Sequence, residues 1–92
     1  MLPVHRFIPD ALAAVLRKAP LSEEKIAFAW RTAVGPSVDR ATSVELDGST
    51  LRVRAKDEQW RREIEHSASL IRARLDTLLG PGVVKGLDVT LR

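Results

Sequence analysis

The sequence predicts an α+β fold of order α-α-β-β-α-β, in which a three-stranded sheet carries its helices on one face. Three observations predict it. Apolar residues recur at helical spacing up to about Ala41, and strict alternation then runs from Thr42 to Lys56 around an Asp47-Gly48 reversal. A long helical stripe follows from Trp60 to Leu78, and after Gly80-Pro81-Gly82 a last segment alternates again.

The first helix spans about Asp10 to Lys18. Leu12, Val15 and Leu16 form its stripe, Phe7 and Ile8 lead in, Asp10 can cap it and Pro20 stops it. Ser22 caps the second helix, whose first turn sets Glu23 and Glu24 against the positive helix end. Its buried stripe is Ile26, Ala29, Trp30, Ala33 and Val34; Gly35-Pro36 interrupts it, and a short continuation through Val38 to Ala41 is compatible with proline in a first turn.

Val44 and Leu46 alternate with Ser43 and Glu45, and Leu51, Val53 and Ala55 with Arg52, Arg54 and Lys56. These are two strands joined as a hairpin through Asp47-Gly48-Ser49-Thr50, with Gly48 free to take a positive φ. One continuous helix is expected from Asp57 to Leu79, its stripe being Trp60, Ile64, Ala68, Ile71, Leu75 and Leu78. A final strand alternates Leu87, Val89 and Leu91 with Asp88, Thr90 and Arg92. The helical crossover brings it back to the same sheet, in an order that the pattern leaves open.

At 92 residues the chain is expected to form one domain over 1–92, since a chain of this size buries only about 60–65% of its unfolded surface. With no cysteine it has neither a disulfide framework nor a thiolate metal site, which fits a reducing cytoplasm. Apolar runs such as Ala11 to Leu16 fall far short of the roughly 20 residues of a membrane span, so no membrane association is expected.

The net charge of +3 is unevenly placed: residues 1–50 hold six basic and six acidic side chains, residues 51–92 nine and six. If Leu51, Val53 and Ala55 face the helices, then Arg52, Arg54 and Lys56 share the other face with Arg92, opposed by Glu45 and Asp88. Such a face admits two readings, anion binding and plain solvation that discourages edge aggregation. On the long helix, Glu58–Arg62, Arg61–Glu65 and Arg72–Asp76 each stand four apart and can pair; Arg61 and Arg72 share a flank beside the buried stripe.

Catalytic apparatus is not recognisable. His5 and His66 have no second ligand at metal spacing, and the acid pairs Glu23-Glu24 and Asp57-Glu58 each open a helix, where the dipole accounts for them. Gly80-Pro81-Gly82 follows a helix where phosphate loops precede one, and no serine stands in a nucleophile elbow. A binding protein without metal or cofactor, not an enzyme, is expected. Trp30 and Trp60 lie on apolar stripes, and the outward strand positions carry no aromatic on which a base could stack.

Trp30-Arg31-Thr32-Ala33-Val34-Gly35, Leu46-Asp47-Gly48 with Leu51-Arg52-Val53, Trp60 with Ile64, and Leu75-Asp76-Thr77-Leu78-Leu79-Gly80 resemble, in order and spacing, the DciA-like proteins. The resemblance runs from about Ala11 to Val89. It implies a K-homology-like module lacking one helix, in a bacterial replication factor that binds DNA and the replicative helicase and assists loading of that ring without hydrolysing nucleotide. It also implies that Trp30, Gly35, Gly48 and Trp60 define the fold and that basic groups around the sheet and last helix bear the DNA. Many members carry an extension beyond this domain, whereas this sequence ends at Arg92. The G-x-x-G loop with which K-homology domains grip RNA is not present.

Charge and resemblance together lead us to expect phosphate contacts from Arg52, Arg54, Lys56, Arg61, Arg72 and Arg92. Two alternatives stay open, a protein-interaction module that binds no nucleic acid and a general RNA-binding domain.

Overall fold

The computed structural model describes residues 10–92, so His5, Phe7 and Ile8 lie outside the described residues. The elements are α1 (Asp10–Lys18), α2 (Glu23–Val34), α3 (Pro36–Arg40), β1 (Thr42–Asp47), β2 (Thr50–Ala55), α4 (Glu58–His66), α5 (Ala68–Leu79) and β3 (Gly86–Leu91). Together they make the expected α+β arrangement.

The sheet runs β1-β2-β3. β1 pairs antiparallel with β2, and β3 returns parallel to β2. Gly48 turns the hairpin with φ +62°, and Gly35 takes φ +88° between α2 and α3, where a side chain would be strained. Leu51, Val53 and Ala55 on the central strand are completely buried. Thr42, Val44 and Leu46 of β1 and Leu87 and Val89 of β3 flank them on the same face, the one the helices cover.

α2 is capped as its sequence requires, the Ser22 hydroxyl accepting from the Lys25 N–H at 3.1 Å. Its Trp30 is 1% exposed and donates its indole N–H to the Thr42 hydroxyl at 2.9 Å; that hydroxyl donates to the Val38 carbonyl at 2.8 Å. One buried threonine thus ties α2, α3 and β1 together.

Three expectations are corrected. The helix expected without interruption over 57–79 is two helices, broken at Ser67, whose φ of −100° and ψ of 10° leave the helical region. The Ser67 N–H is shared between the Glu63 and Ile64 carbonyls, a tightened last turn. α4 then packs over β2 and β3 while α5 packs against α1 and α2, so the break lets one apolar stripe serve two different surfaces. The connection between β2 and β3 is therefore a pair of helices.

The second correction concerns α1. Its buried residue is Ala13 and Leu16 packs on the core, whereas Val15 is 69% exposed, because α1 lies against α5 by a face rotated from the expected stripe. Trp60, expected among the core residues, is half-buried at the core's margin.

The three larger helices other than α4 exchange cationic caps in a cycle. Arg17 of α1 donates to the Thr77 carbonyl at the end of α5 (2.7 Å), Arg74 of α5 to the Ala33 carbonyl at the end of α2 (2.7 Å), and Lys25 of α2 to the Ala19 carbonyl just past α1 (2.6 Å). Carbonyls at a helix C-terminus have no partner within their helix, and the dipole there favours a cation. None of the described helices is long and apolar enough to cross a membrane.

Candidate nucleic-acid interface

Opposite the helices, the sheet presents an exposed face built by simple alternation. Its cross-strand rows are Asp47–Thr50–Gly86, Glu45–Arg52–Asp88 and Ser43–Arg54–Thr90. One further step along the ladder, the Lys56 N–H donates to the Ala41 carbonyl at 2.8 Å and the Arg92 N–H to the Ala55 carbonyl at 2.9 Å, so Lys56 and Arg92 are neighbours. The charges are therefore sorted along the strands.

At the hairpin end stand three carboxylates, Glu45, Asp47 and Asp88, with Arg52 among them. The Arg52 guanidinium is bonded to Asp47 at 2.8 Å. At the opposite end Arg54 lies between the uncharged Ser43 and Thr90, followed by Lys56 and Arg92, and none of the three cations makes an ion pair among the described residues. Arg40, exposed at the end of α3, precedes the Ala41 that Lys56 contacts, and so adds a fourth cation to this end. No periodic pattern singles out Arg40 in the sequence; only the pairing of Ala41 with Lys56 places it here. Two carboxylates adjoin these cations in sequence: Asp39 precedes Arg40 in α3, and Asp57, after Lys56, is occupied in capping α4, its Oδ1 accepting from the Trp60 N–H at 3.0 Å.

The remaining expected contacts are placed differently. Arg61 is enclosed by two carboxylates of its own helix, bonded to Glu58 and, at 2.8 Å, to Glu65. Glu58 also receives Arg62 at 3.4 Å, the i to i+4 pair that the spacing indicated. The hydrogen bond from Arg61 pulls the Glu58 carboxyl below the usual carboxylate range, and the same bond raises the guanidinium further above its ordinary value, in each case against the opposing effect of burial. Arg72 is exposed on α5, beyond the Ser67 break from Arg61, and forms no ion pair with Asp76. The flank the two arginines would have shared on one straight helix is divided.

The structure thus brings together Arg54, Lys56 and Arg92, keeps Arg52 on the same face but engaged, and sets Arg61 and Arg72 apart. Arg17, Lys25 and Arg74, which contribute to the net charge, are directed at backbone carbonyls. An exposed end of a sheet carrying four cations and no aromatic ring can hold phosphates as point charges; it offers no platform for stacking bases.

No curated protein sequence matches the chain significantly. The family model described as "Dna[CI] antecedent, DciA" matches residues 3–89, nearly the whole length. The chain belongs to the DciA family, which is related to the loading of the bacterial replicative helicase.

Proposed function

We propose that the chain is a DNA-binding adaptor of the replicative helicase, which holds the phosphate backbone with little sequence preference and assists loading of the ring without a catalytic step of its own. Family membership supports the helicase half of this reading. The observation that carries the DNA half is the group Arg54, Lys56 and Arg92, with Arg40 beside it, unpaired at one end of an open sheet face. Arg52, Arg61 and Arg72 become secondary, the first two because bound carboxylates would have to be released before a phosphate could replace them. General RNA binding has less support, since the junction between α4 and α5 reads Glu65-His66-Ser67-Ala68 and contains no glycine.

The test is fluorescence anisotropy with single-stranded DNA, duplex DNA and RNA of equal length at several salt concentrations. If about four phosphates are neutralised, the logarithm of affinity falls against the logarithm of salt with slope near −3 on single strands and −3.6 on duplex. Replacing Arg54 and Lys56 by alanine is expected to make the slope shallower. A slope near zero, or an unchanged slope in that variant, removes the site. Co-elution with a replicative helicase after nuclease treatment tests the other half, and failure to co-elute overturns it.

A further inference from the structure

β1 is an edge strand, and the half of its edge nearest the hairpin stands beside an open groove. The groove has a volume of about 480 Å³. Leu21, Ile26 and Ala27 line it from the start of α2, and Val44 and Leu46 from β1. α3 packs against β1 as well, and β1 begins just after α3 ends. Among the described residues, the backbone of Ser43 to Asp47 makes no hydrogen bond outside its pairing with β2. Leu21 is 58% exposed at one end of this groove.

We propose that this edge takes up an extended segment of a protein partner in which apolar residues alternate with lysine or arginine. A strand added to an edge places its side chains alternately on the two faces of the sheet. On the inner face the neighbours offered by β1 are Val44 and Leu46, and the groove supplies room for aliphatic side chains against Ile26 and Ala27. On the outer face the neighbours are Glu45 and Asp47, of which Asp47 already holds Arg52 and Glu45 is the one left for a partner's cation; Glu23 stands at the mouth of the groove from α2. Glu45 and Glu23 form no ion pair among the described residues. The face chemistry of the edge therefore selects apolar-in, basic-out.

A second copy of this chain is the wrong occupant for the same reason. β1 against β1 would oppose Glu45 and Asp47 to themselves, and β3 would bring one carboxylate, Asp88, with one arginine, Arg92, to the outer face and so lacks the alternating basic set. Like charges across a ladder disfavour pairing. The inference does not depend on the DNA reading, whose cations occupy the other end of the sheet face.

The probes are three labelled hexapeptides titrated into the full chain and followed by amide chemical shifts: alternating valine and lysine, alternating valine and glutamate, and a block of three valines followed by three lysines. The alternating valine–lysine peptide is expected to shift the amides of Val44, Glu45, Leu46 and Ala27, and to bind about tenfold more tightly than either of the others. Two exposed substitutions, Ala27→Asp in the groove and Glu45→Lys on the outer face, are each expected to reduce that affinity by roughly tenfold while the rest of the spectrum is unchanged. Equal affinity for alternating and block peptides, shifts confined to other elements, unaffected variants, or no binding at all would each overturn the proposal.

Discussion

Asp47 holds the Arg52 guanidinium at 2.8 Å on the exposed face of the sheet, in line with Glu45 and Asp88 on either side of that arginine. This one contact divides an apparently uniform row, Arg52, Arg54 and Lys56, into an occupied cation and two free ones. Asp47→Asn is therefore expected to raise affinity for single-stranded DNA and steepen its salt slope by up to about 0.7, as Arg52 becomes available to one more phosphate. Arg54→Ala is expected to do the reverse. Salt-dependent anisotropy on both variants checks the pair, and equal effects of Arg52→Ala and Arg54→Ala on the slope would contradict the division.

Much of this arrangement was legible in the sequence because alternation is a strict rule: the outward positions of β1, β2 and β3 follow from counting by two. What counting cannot supply is the neighbour across the ladder. That Arg54 meets Ser43 and Thr90 while Arg52 meets Glu45 and Asp88 depends on strand order and register, and both are tertiary. The break at Ser67 was hidden for a related reason. The stripe Trp60, Ile64, Ala68, Ile71, Leu75, Leu78 keeps helical spacing across the break, so periodicity reports one helix even though His66 and Ser67 are weak helix formers. On α1 the stripe was misjudged because Ala13, too small to weigh in a hydrophobic pattern, is the residue that the close approach to α5 buries.

Thr42 is nearly buried and its hydroxyl is the acceptor for the Trp30 indole N–H. Thr42→Val keeps the shape and leaves that N–H without a partner in the core, at an expected cost of about 1–3 kcal/mol. The Val38 carbonyl loses less, since it also accepts from the Ala41 N–H at 3.0 Å. Thr42→Ser retains the acceptor and is expected to fall well short of that loss. Urea unfolding of both variants makes the measurement, and comparable losses would show that the methyl group, and not the hydroxyl, matters.

The Glu58–Arg61 contact sets a direction for pH dependence. Because Glu58 titrates lower in the folded chain than in the unfolded one, its ionised form stabilises α4 above the ordinary carboxylate range, and that contribution is lost as pH falls through the lowered value. Glu58→Gln is expected to flatten the acid limb of the stability profile, below the ordinary carboxylate range, with the difference shrinking at high salt because the groups are exposed. Denaturant unfolding across that limb provides the check; a profile as steep in the variant as in the parent would assign the acid sensitivity to other carboxylates.

Lys25 is the most enclosed of the three cations that cap neighbouring helices, only 8% exposed, with Nζ at 2.6 Å from the Ala19 carbonyl and 3.4 Å from that of Arg17. Arg17 reaches the Thr77 carbonyl from a solvent-exposed position. Both replacements by methionine keep an apolar stem and remove the charge-assisted bond, yet their consequences should differ, because a carbonyl in water finds another donor and a screened one does not. Lys25→Met is expected to cost about 1.5–3 kcal/mol, and Arg17→Met less than about 1 kcal/mol. In the Lys25 variant, amide exchange should rise first in α1, whose end has lost its cap, while the central strand residues Leu51 and Val53 remain protected. Uniform loss of protection across α1 and the sheet would mean that the cap supports the whole fold and does not merely anchor its first helix.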